Sequence, residues 1–307
     1  MIKRAAATAA ALLIFYNIAS AAMPFGYELA KVIGDSGKGR HELEKPVALA
    51  VSPKGIIAVA DGGRESVVLF DEDGGWLATA GGRKGRGGDI FDGPAGLCFD
   101  RRGRIWVADS GNDRLVVLRE EGSVEMTYGK RGFSRGEFRG PTAVAASSTG
   151  RIYAVDAGNG RIQLIANRGS ALDDWTPSDL SLRGKLKDPL DLAYTDFSGG
   201  SILIYGQSAT KIDRFDLDGK WLESLDIELA VGRKPKIADV ASDGRFGWVF
   251  VLDTDSNSII VLNGRGELDQ EITAPEGTVF AAIAVTAHRD IYAADKKNAR
   301  ILYFERK

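Results

Sequence analysis

Short apolar runs alternate with turn residues along almost the whole chain. Each run is only a few residues long and ends near glycine, asparagine or aspartate, which favours short strands joined by tight turns. The period of this pattern is marked by five prolines, spaced 48, 47, 48 and 46 residues apart: Pro46, Pro94, Pro141, Pro189 and Pro235. A fixed period of this length predicts a repeat architecture.

Each repeat contains four strand-like runs. In the second repeat the first run covers residues 95–99, a turn follows at 100–103, and the next run, residues 105–109, ends in aspartate. A third run at 115–118 follows a Gly/Asn turn, and turns such as 71–74 introduce a fourth run. Four short strands joined in this way form a four-stranded antiparallel sheet. The sequence therefore predicts an all-β fold, a six-bladed β-propeller whose blades are such sheets.

The two ends of the chain complement each other. The last repeat ends after its third strand, at Lys307. Residues 27–33 and the Gly-rich segment at 34–39 match the fourth strand and exit loop of another repeat. We therefore expect the N-terminal strand to join the C-terminal blade and close the ring, which removes open sheet edges. A linear solenoid is the alternative, but it would need capping repeats.

Two neighbouring repeats share a motif of glycines, an aspartate and an arginine. One reads Gly129-x-x-Gly132-x-x-x-Gly136-x-Phe138-x-x-Pro141 and continues through residues 152–162, and the preceding repeat has the same order at 105–114. The motif resembles the NHL repeat, over nearly all of the chain after residue 22, with a departure at Gly206-Gln207-Ser208 in the fourth blade. The resemblance implies a propeller that acts as a binding scaffold, although a minority of related propellers are lyases, lactonases or similar hydrolases. A shared fold does not decide between these functions.

The N-terminal segment differs from the rest of the chain. A basic start, an apolar stretch at 5–18 and small residues at 19–22 predict a secretory signal peptide over residues 1–22, which leaves a propeller domain over residues 23–307. The apolar stretch is shorter than the ~20 residues that a membrane-spanning helix needs, which disfavours an uncleaved anchor. We expect an exported protein, periplasmic or extracellular, with no transmembrane span after cleavage.

Aspartates recur at two positions of the repeat. One set ends the second strand of a blade, in turns that contain glycine or asparagine: Asp61, Asp109, Asp156, Asp253 and Asp295. Because these residues are spread around the ring, we interpret them as turn caps rather than metal ligands. Asp191 and Asp239 instead lie near the start of innermost strands, where other blades carry alanine or glycine. They could bind a cation or share a proton at the central channel, or each could accept hydrogen bonds from backbone amides.

Side chains suited to catalysis are scarce. The chain has two histidines, His41 and His288, at different positions of the repeat, and its single cysteine, Cys98, rules out an intrachain disulfide. The resemblance implies that a lyase would use several histidine ligands, which this chain cannot supply, and a lactonase a Glu/Asn/Asp metal centre, which we cannot place. We assign no catalytic residue, metal ligand or cofactor. A metal-dependent lyase or hydrolase that uses Asp191 and Asp239 is the alternative function.

Positive charge is concentrated in the loops that lead into the innermost strands. These loops hold sixteen basic and eight acidic residues, whereas the chain after residue 22 has 38 basic and 42 acidic residues. The candidate ligand-binding positions are Arg83, Lys84, Arg86, Lys130, Arg131, Arg135, Arg139, Arg183, Lys185, Arg233 and Lys234. Propeller geometry places these loops on one face, so we expect an anionic partner: another envelope or secreted protein, or an anionic glycan. Export argues against nucleic acid, although a basic face alone does not exclude it.

Overall fold

Six antiparallel sheets build the protein. The computed structural model describes residues 26–34, 42–82, 91–168, 171–175 and 189–307. Within these residues each of the six sheets has four strands, which follow chain order except that the first strand joins the last sheet. The predicted six-bladed propeller is therefore confirmed. No helix in the described ranges is long and apolar enough to cross a membrane.

The first half of the chain contains three blades and the strand that closes the ring. The closing strand is β1 (Tyr27–Ile33). Blade 1 contains β2 (Pro46–Val51), β3 (Ile57–Asp61), β4 (Ser66–Phe70) and β5 (Trp76–Gly81). Blade 2 contains β6 (Pro94–Phe99), β7 (Ile105–Asp109), β8 (Arg114–Leu118) and β9 (Val124–Tyr128). Two short strands, β10 (Lys130–Arg131) and β11 (Glu137–Phe138), pair within the next loop. Blade 3 contains β12 (Pro141–Ala146), β13 (Arg151–Asp156), β14 (Arg161–Arg168) and β15 (Ala171–Trp175).

The second half contains the other three blades. Blade 4 contains β16 (Pro189–Thr195), β17 (Ser201–Gly206), β18 (Lys211–Asp216) and β19 (Trp221–Asp226), and the short helix α1 (Ile227–Val231) follows it. Blade 5 contains β20 (Ile237–Ser242), β21 (Val249–Asp253), β22 (Ser258–Leu262) and β23 (Leu268–Thr273). Blade 6 contains β24 (Phe280–Val285), β25 (Ile291–Asp295) and β26 (Arg300–Arg306). Single 3-10 turns lie at Ser110–Asn112, Ala157–Asn159 and Phe197–Gly199.

The N-terminal strand completes blade 6. It pairs antiparallel with β26, from Tyr27 opposite Arg306 to Ile33 opposite Ile301. The prediction that the N-terminal strand closes the ring is thus confirmed. Because the two ends of the chain share one sheet, blade 6 has four strands like the other blades and the ends of the ring are held together.

Apolar side chains pack between neighbouring blades. Every residue of the second strands β3 and β7 is buried, since adjacent sheets cover both faces of these strands. Trp106, Phe138 and Val144 belong to one such cluster, between blades 2 and 3. Burial of one large apolar side chain contributes about 1.5–3 kcal/mol, so the repeated clusters hold the ring together.

The strand ends form two different faces. The loop face consists of the loops between blades, such as residues 129–140 and 227–236, and of the turns between second and third strands. The turn face consists of the turns between first and second strands, such as residues 243–248, and of those between third and fourth strands. The innermost strands connect the two faces along the central channel.

Candidate functional site

Buried aspartates connect each loop to the turn beside it. The five turn aspartates predicted from the repeat are fully buried: Asp61, Asp109, Asp156, Asp253 and Asp295. Asp156 Oδ1 accepts the Arg139 amide at 2.7 Å, and its Oδ2 accepts Arg161 Nε at 2.8 Å. The others also accept amides of the preceding loop, those of Lys45, Asp92, Lys236 and Val279. These contacts agree with the prediction that the aspartates cap turns, and they place loops and turns on one face.

One arginine holds the loop between blades 2 and 3. The guanidinium of Arg161, besides its contact with Asp156, donates to the carbonyl oxygens of Phe133, Ser134 and Glu137 at 2.7–2.8 Å. Hydrogen bonds from a charged donor are about twice as strong as those between neutral groups. The loop at 129–140 therefore has a defined conformation that is set from within blade 3.

The same loop presents an aromatic ring among positive charges. Phe133 is 71% exposed, and the Arg139 guanidinium lies 5.6 Å from its ring centre. Lys130, Arg131 and Arg135 are also exposed. Four of the predicted basic positions thus lie in the same loop as this exposed phenylalanine, and Arg131 also lies 3.9 Å from the Asp113 carboxylate. We call Lys130, Arg131, Phe133, Arg135 and Arg139 the basic cluster.

Glu137 is the acidic residue within this loop. Its carboxylate accepts the amides of Ser134 and Phe133, at 3.1 and 3.2 Å, and lies 3.4 Å from Lys130 Nζ. These contacts, the hydrogen bond from Ser134 first, lower the pKa of Glu137, so the side chain is ionised at neutral pH. Four cations against this one carboxylate leave the loop with a net positive charge.

Arg233 and Lys234, in the loop between blades 4 and 5, have different environments. Lys234 is exposed. The guanidinium of Arg233 is one-third exposed and contacts the carboxylates of Asp253 and Glu271. Arg233 therefore holds its own loop to blade 5, and we leave it out of the proposed binding surface.

The reason for this difference lies in the third strand. The residue opposite Asp156 in blade 3 is Arg161, whereas the residue opposite Asp253 in blade 5 is Ser258. A buried carboxylate needs a charged or hydrogen-bonding partner. In blade 5 the loop supplies this partner, Arg233.

Several predicted positions lie outside the described residues: Arg83, Lys84, Arg86, Arg183, Lys185, His41 and the predicted signal peptide at 1–22. His288 is exposed, as expected of a residue in a polar turn. Within the described ranges, the basic surface is centred on the 129–140 loop, with Lys234 as a more distant member along the chain.

The two channel aspartates are neighbours, because the amide of Val240 donates to both carboxylates. Asp239 Oδ2 accepts the amide of Ile283 at 2.6 Å, and its Oδ1 accepts that of Val240 at 2.8 Å. Asp191 Oδ2 accepts the Val240 amide at 3.3 Å. Each carboxylate therefore reaches the innermost strand of the next blade, which is the amide-binding alternative considered from the sequence.

The pKa of each channel carboxyl group is raised in the folded protein. Burial raises the pKa of Asp191, and burial together with the charge of Asp191 raises the pKa of Asp239. When two carboxyl groups interact this closely, the titration belongs to the pair rather than to either residue. Burial, followed by the charges of both aspartates, raises the pKa of neighbouring Tyr205 as well. Among the described side chains, no group of three or more His, Cys, Asp or Glu residues is placed to hold a metal ion.

The channel contains a cavity of about 690 Å³. Its described wall comes from the innermost strands and from the first turns of the blades, and it includes Asp191, Asp239 and Tyr205. Cys98 also lines it, and burial raises the pKa of the thiol, which keeps it protonated at neutral pH. The basic cluster is not in this wall, so the cavity and the basic cluster are separate features.

A family comparison matches one blade. The model described as NHL repeat matches residues 91–118, which contain β6, β7 and β8. The chain carries an NHL repeat. The matched segment thus contains the motif identified from the sequence at residues 105–114. The curated proteins contain no significant match to the chain.

Several solved structures are similar in fold to this chain. Virginiamycin B lyase from Staphylococcus aureus is 12% identical and has a TM-score of 0.57, with 91% of this chain and 99% of that chain covered. A nidogen/laminin complex is 16% identical with a TM-score of 0.58, covering 78% and 85%. The β-propeller domain of Myceliophteria thermophila Cps50 (Swd1) is 12% identical with a TM-score of 0.60, covering 92% and 100%. Identities this low show the fold alone.

Sequence reasoning missed the residues that order the basic cluster. Besides Arg161, Asn159 Nδ2 donates to the Gly132 carbonyl at 2.9 Å, and Gln163 Nε2 donates to the Glu137 carbonyl at 2.6 Å. A signal was present in the repeat, because an arginine five residues after the turn aspartate recurs as Arg114, Arg161 and Arg300. The exposure of Phe133 had no such signal, since a loop phenylalanine can be buried as Phe138 is.

Proposed function

We propose that this NHL propeller is an exported scaffold that docks an acidic protein on its loop face, through the basic cluster. The observation that carries the proposal is Phe133, an exposed ring beside Arg139 in a loop with three more exposed cations, whose conformation Arg161 holds through hydrogen bonds. Aromatic residues and arginine are the residue types that dominate the energy of protein interfaces. A loop that is ordered before binding loses less conformational entropy on association.

A protein suits this surface better than an anionic glycan. Phe133 offers an apolar anchor that a partner pocket can enclose, while the surrounding arginines offer hydrogen bonds to carboxylates. Electrostatic attraction would speed encounter and make the rate dependent on salt. The structure of the nidogen/laminin complex gives an example in which a protein of similar fold takes part in a protein complex.

The proposal is tested by comparing two charge-reversal variants with equal charge. The loop-face variant carries Arg131→Glu, Arg135→Glu and Arg139→Glu. The turn-face control carries Arg102→Glu, Lys220→Glu and Arg265→Glu, three exposed cations on the other face. Proteins from the envelope and secreted fractions are captured on wild type, loop-face variant and control, and identified by mass spectrometry.

We expect an acidic protein to be retained by the wild type and by the control but lost by the loop-face variant. Phe133→Ala should weaken the same interaction by at least about 1 kcal/mol, as expected for truncation of an interface anchor. Thermal unfolding of each variant checks that the ring is intact. Retention of the same partner by the loop-face variant at low salt would contradict the proposal.

A metal-dependent lyase or hydrolase at the channel is the second candidate. It is favoured by the carboxylate pair in the cavity wall, and one protein of similar fold is a lyase. The oxygens of Asp239 already accept two short amide bonds, which leaves the pair less suited to bind a cation. Metal analysis of protein purified without chelator tests this candidate, and a stoichiometric divalent ion lost in Asp191→Asn would favour it over the scaffold.

Export of the protein is a separate proposal, based on the composition of residues 1–22. N-terminal sequencing of the protein from its native source should give a chain that begins after Ala21 or Ala22. A native chain that retains Met1 and remains with the membrane fraction would favour the anchor instead.

A further inference from the structure

Five side chains on the turn face stack in alternating order. The guanidinium of Arg245 lies 5.3 Å from the ring centre of Phe246, and that of Arg289 lies 5.7 Å from the same ring. Arg289 also lies 4.6 Å from the ring of Trp248, and Arg306 lies 5.8 Å from it. All four distances are within the range of an attractive cation–π contact. We call these five residues the arginine ladder.

The arginine ladder joins two blades at the protein surface. Arg245, Phe246 and Trp248 belong to the first turn of blade 5, Arg289 to the first turn of blade 6, and Arg306 to the end of β26. Phe246 is 49% exposed, and Arg245 and Arg306 are exposed. The guanidinium groups at both ends of the ladder are therefore accessible to a ligand.

The same turn in blade 2 uses its arginine differently. There Arg104 closes the turn, and its guanidinium binds the buried carboxylate of Asp100 at 2.7 Å. In blade 5 Trp248 closes the turn and Asp243 is the buried aspartate. Within the described residues, Asp243 Oδ2 has no hydrogen-bond partner. The arginines of blades 5 and 6 thus stack at the surface instead of neutralising this aspartate.

Carboxylates do not occupy the ladder. Among the described residues, none of its three guanidinium groups has an acidic oxygen within 4 Å. One nearby carboxylate is that of Asp243, which accepts the amides of Phe246 and Trp248 at 3.0 and 3.3 Å. Burial raises the pKa of Asp243, while these amides and the charge of Arg289 lower it. The other nearby carboxylate, Asp290, accepts the backbone amide of Arg306 at 3.1 Å and the Thr286 hydroxyl at 3.2 Å. The planar N–H edges of the ladder arginines are therefore not paired with protein anions.

We propose that the arginine ladder is a binding site for an acidic glycan, a sugar chain that carries carboxylate or sulfate groups. A guanidinium stacked on a ring keeps its N–H groups in a fixed plane, and two of them can bind one carboxylate or sulfate in parallel. Successive guanidiniums are no more than about 11 Å apart, because each lies 4.6–5.8 Å from the centre of the ring between them. Such a row suits a polymer whose anionic groups repeat along its length.

The stacking also argues against single-stranded nucleic acid. Proteins that bind single strands use free aromatic faces on which bases stack. Phe246 and Trp248 each already have two guanidinium groups within 4.6–5.8 Å of the ring centre, which leaves less of each ring free for a base to stack on. The site lies on the opposite face from the basic cluster, and it does not depend on the function proposed there.

The test uses purified protein and defined polymers. Binding of polygalacturonate and of dextran sulfate is measured by calorimetry at physiological salt, with uncharged dextran and poly(dT) as comparison polymers. A variant with Arg245→Lys, Arg289→Lys and Arg306→Lys keeps the charge of the ladder but loses its planar groups. We expect it to bind an acidic glycan at least about tenfold more weakly than the wild type. A single Arg245→Gln change, at an exposed position, should weaken binding in the same direction.

Matched controls separate the ladder from general attraction between opposite charges. Arg102→Gln, Lys220→Gln and Arg265→Gln remove three exposed cations elsewhere on the same face and should change affinity by less than about threefold, as expected for exposed charges at physiological salt. The loop-face charge-reversal variant should bind the glycan as the wild type does. Equal loss in the control, normal binding by the lysine variant, loss in the loop-face variant, or tighter binding of poly(dT) would each overturn the proposal.

Discussion

Blades 3 and 5 pair their buried turn aspartates with arginines from different elements. In both, a fully buried aspartate ends the second strand and needs a cationic partner. Blade 3 supplies Arg161 from its own third strand, so the loop arginines above it remain at the surface. Blade 5 has Ser258 at that position, and the loop residue Arg233 contacts Asp253 instead. The number of basic residues in a loop therefore does not give the number available for binding.

The innermost strands also contact one another differently on the two sides of the ring. Between blades 2 and 3 the innermost strands approach so closely that a Cβ atom on Gly96 would lie 2.6 Å from the Thr142 carbonyl oxygen. At the equivalent position blades 4 and 5 carry Asp191 and Asp239, whose carboxylates bind the amides of the next strand. One side of the ring is joined by direct backbone packing and the other by a carboxylate pair.

The largest expected effect is that of Arg161→Ala. The change leaves the buried carboxylate of Asp156 without its ion pair and removes three hydrogen bonds to the loop. Removal of one partner of a buried pair costs about 3–5 kcal/mol, so we expect a loss of that order in the free energy of unfolding. Urea denaturation measures it. An exposed arginine of the same protein, Arg102, changed to alanine should cost less than about 0.5 kcal/mol.

Arg161→Ala also tests whether the loop depends on blade 3. Proteolysis or hydrogen exchange at residues 129–140 should increase more than at blade 5 in this variant. A variant that unfolds as the wild type does, with an unchanged loop, would show that the hydrogen bonds to the Phe133 and Ser134 carbonyls do not determine its conformation.

A smaller effect is expected for Gly96→Ala. The added methyl group would meet backbone atoms of Thr142 and Ala143, at 2.6 and 2.7 Å, and backbone cannot move aside as a flexible side chain can. We expect destabilisation of about 1–3 kcal/mol, the usual cost of overpacking. Ala48→Gly, at the same repeat position in blade 1, is the opposite change and should cost about 1 kcal/mol or less. If Gly96→Ala were neutral, close backbone packing would not distinguish this side of the ring.

The repeat predicted the frame of the molecule well and the use of individual side chains less well. Second strands begin and end where the apolar runs do, as in Ile105–Asp109, Val249–Asp253 and Ile291–Asp295. The reason is that a second strand is buried on both faces, so that nearly all of its side chains must be apolar. The pairing of Tyr27–Ile33 with the last blade also followed from the pattern, since a ring needs a fourth strand there.

The partners of charged groups could not be predicted in the same way. Arg233 contacts Asp253, which is 20 residues further along the chain, and the basic composition of the loop gave no sign of this contact. The arginine ladder combines residues of two blades and was likewise invisible to a search within one repeat. Asp191 and Asp239 were singled out because they broke the repeat, and the structure showed that both accept the Val240 amide.

Arg233 and the residue at position 258 should be alternative sources of a partner for Asp253. Arg233→Ala should destabilise the protein by about 1–2 kcal/mol, less than Arg161→Ala, because Arg233 is one-third exposed and Asp253 keeps its bonds to backbone amides. Ser258→Arg places an arginine where blade 3 has one. In that background Arg233→Ala should cost much less, and a double-mutant cycle measures the difference. Additive costs would mean that Arg233 and the third-strand position are not interchangeable partners of Asp253.

The smallest expected effect is a dependence on pH at the carboxylate pair. The pKa of both Asp191 and Asp239 is raised in the folded protein, so the protonated pair is favoured by folding. Stability from such groups is fully present below the ordinary aspartate pKa of about 4 and is lost as the pH rises through the raised folded-state values. Asp191→Asn keeps the shape of the pair but cannot share a proton. The unfolding free energy of the wild type, relative to that of Asp191→Asn, should therefore decrease as pH rises above about 4.

Other titrating groups are common to both proteins and cancel in this difference, while any loss of packing adds an offset that does not vary with pH. The same substitution in blade 3, Ala143→Asn, serves as a control, because it adds an amide where no carboxylate pair exists and should give a difference that is flat over this pH range. A flat difference for Asp191→Asn as well would mean that the two carboxylates titrate as ordinary aspartates. The blade 4–5 side of the ring would then be held by amide contacts alone, as closely as the backbone packing at Gly96 holds the other side.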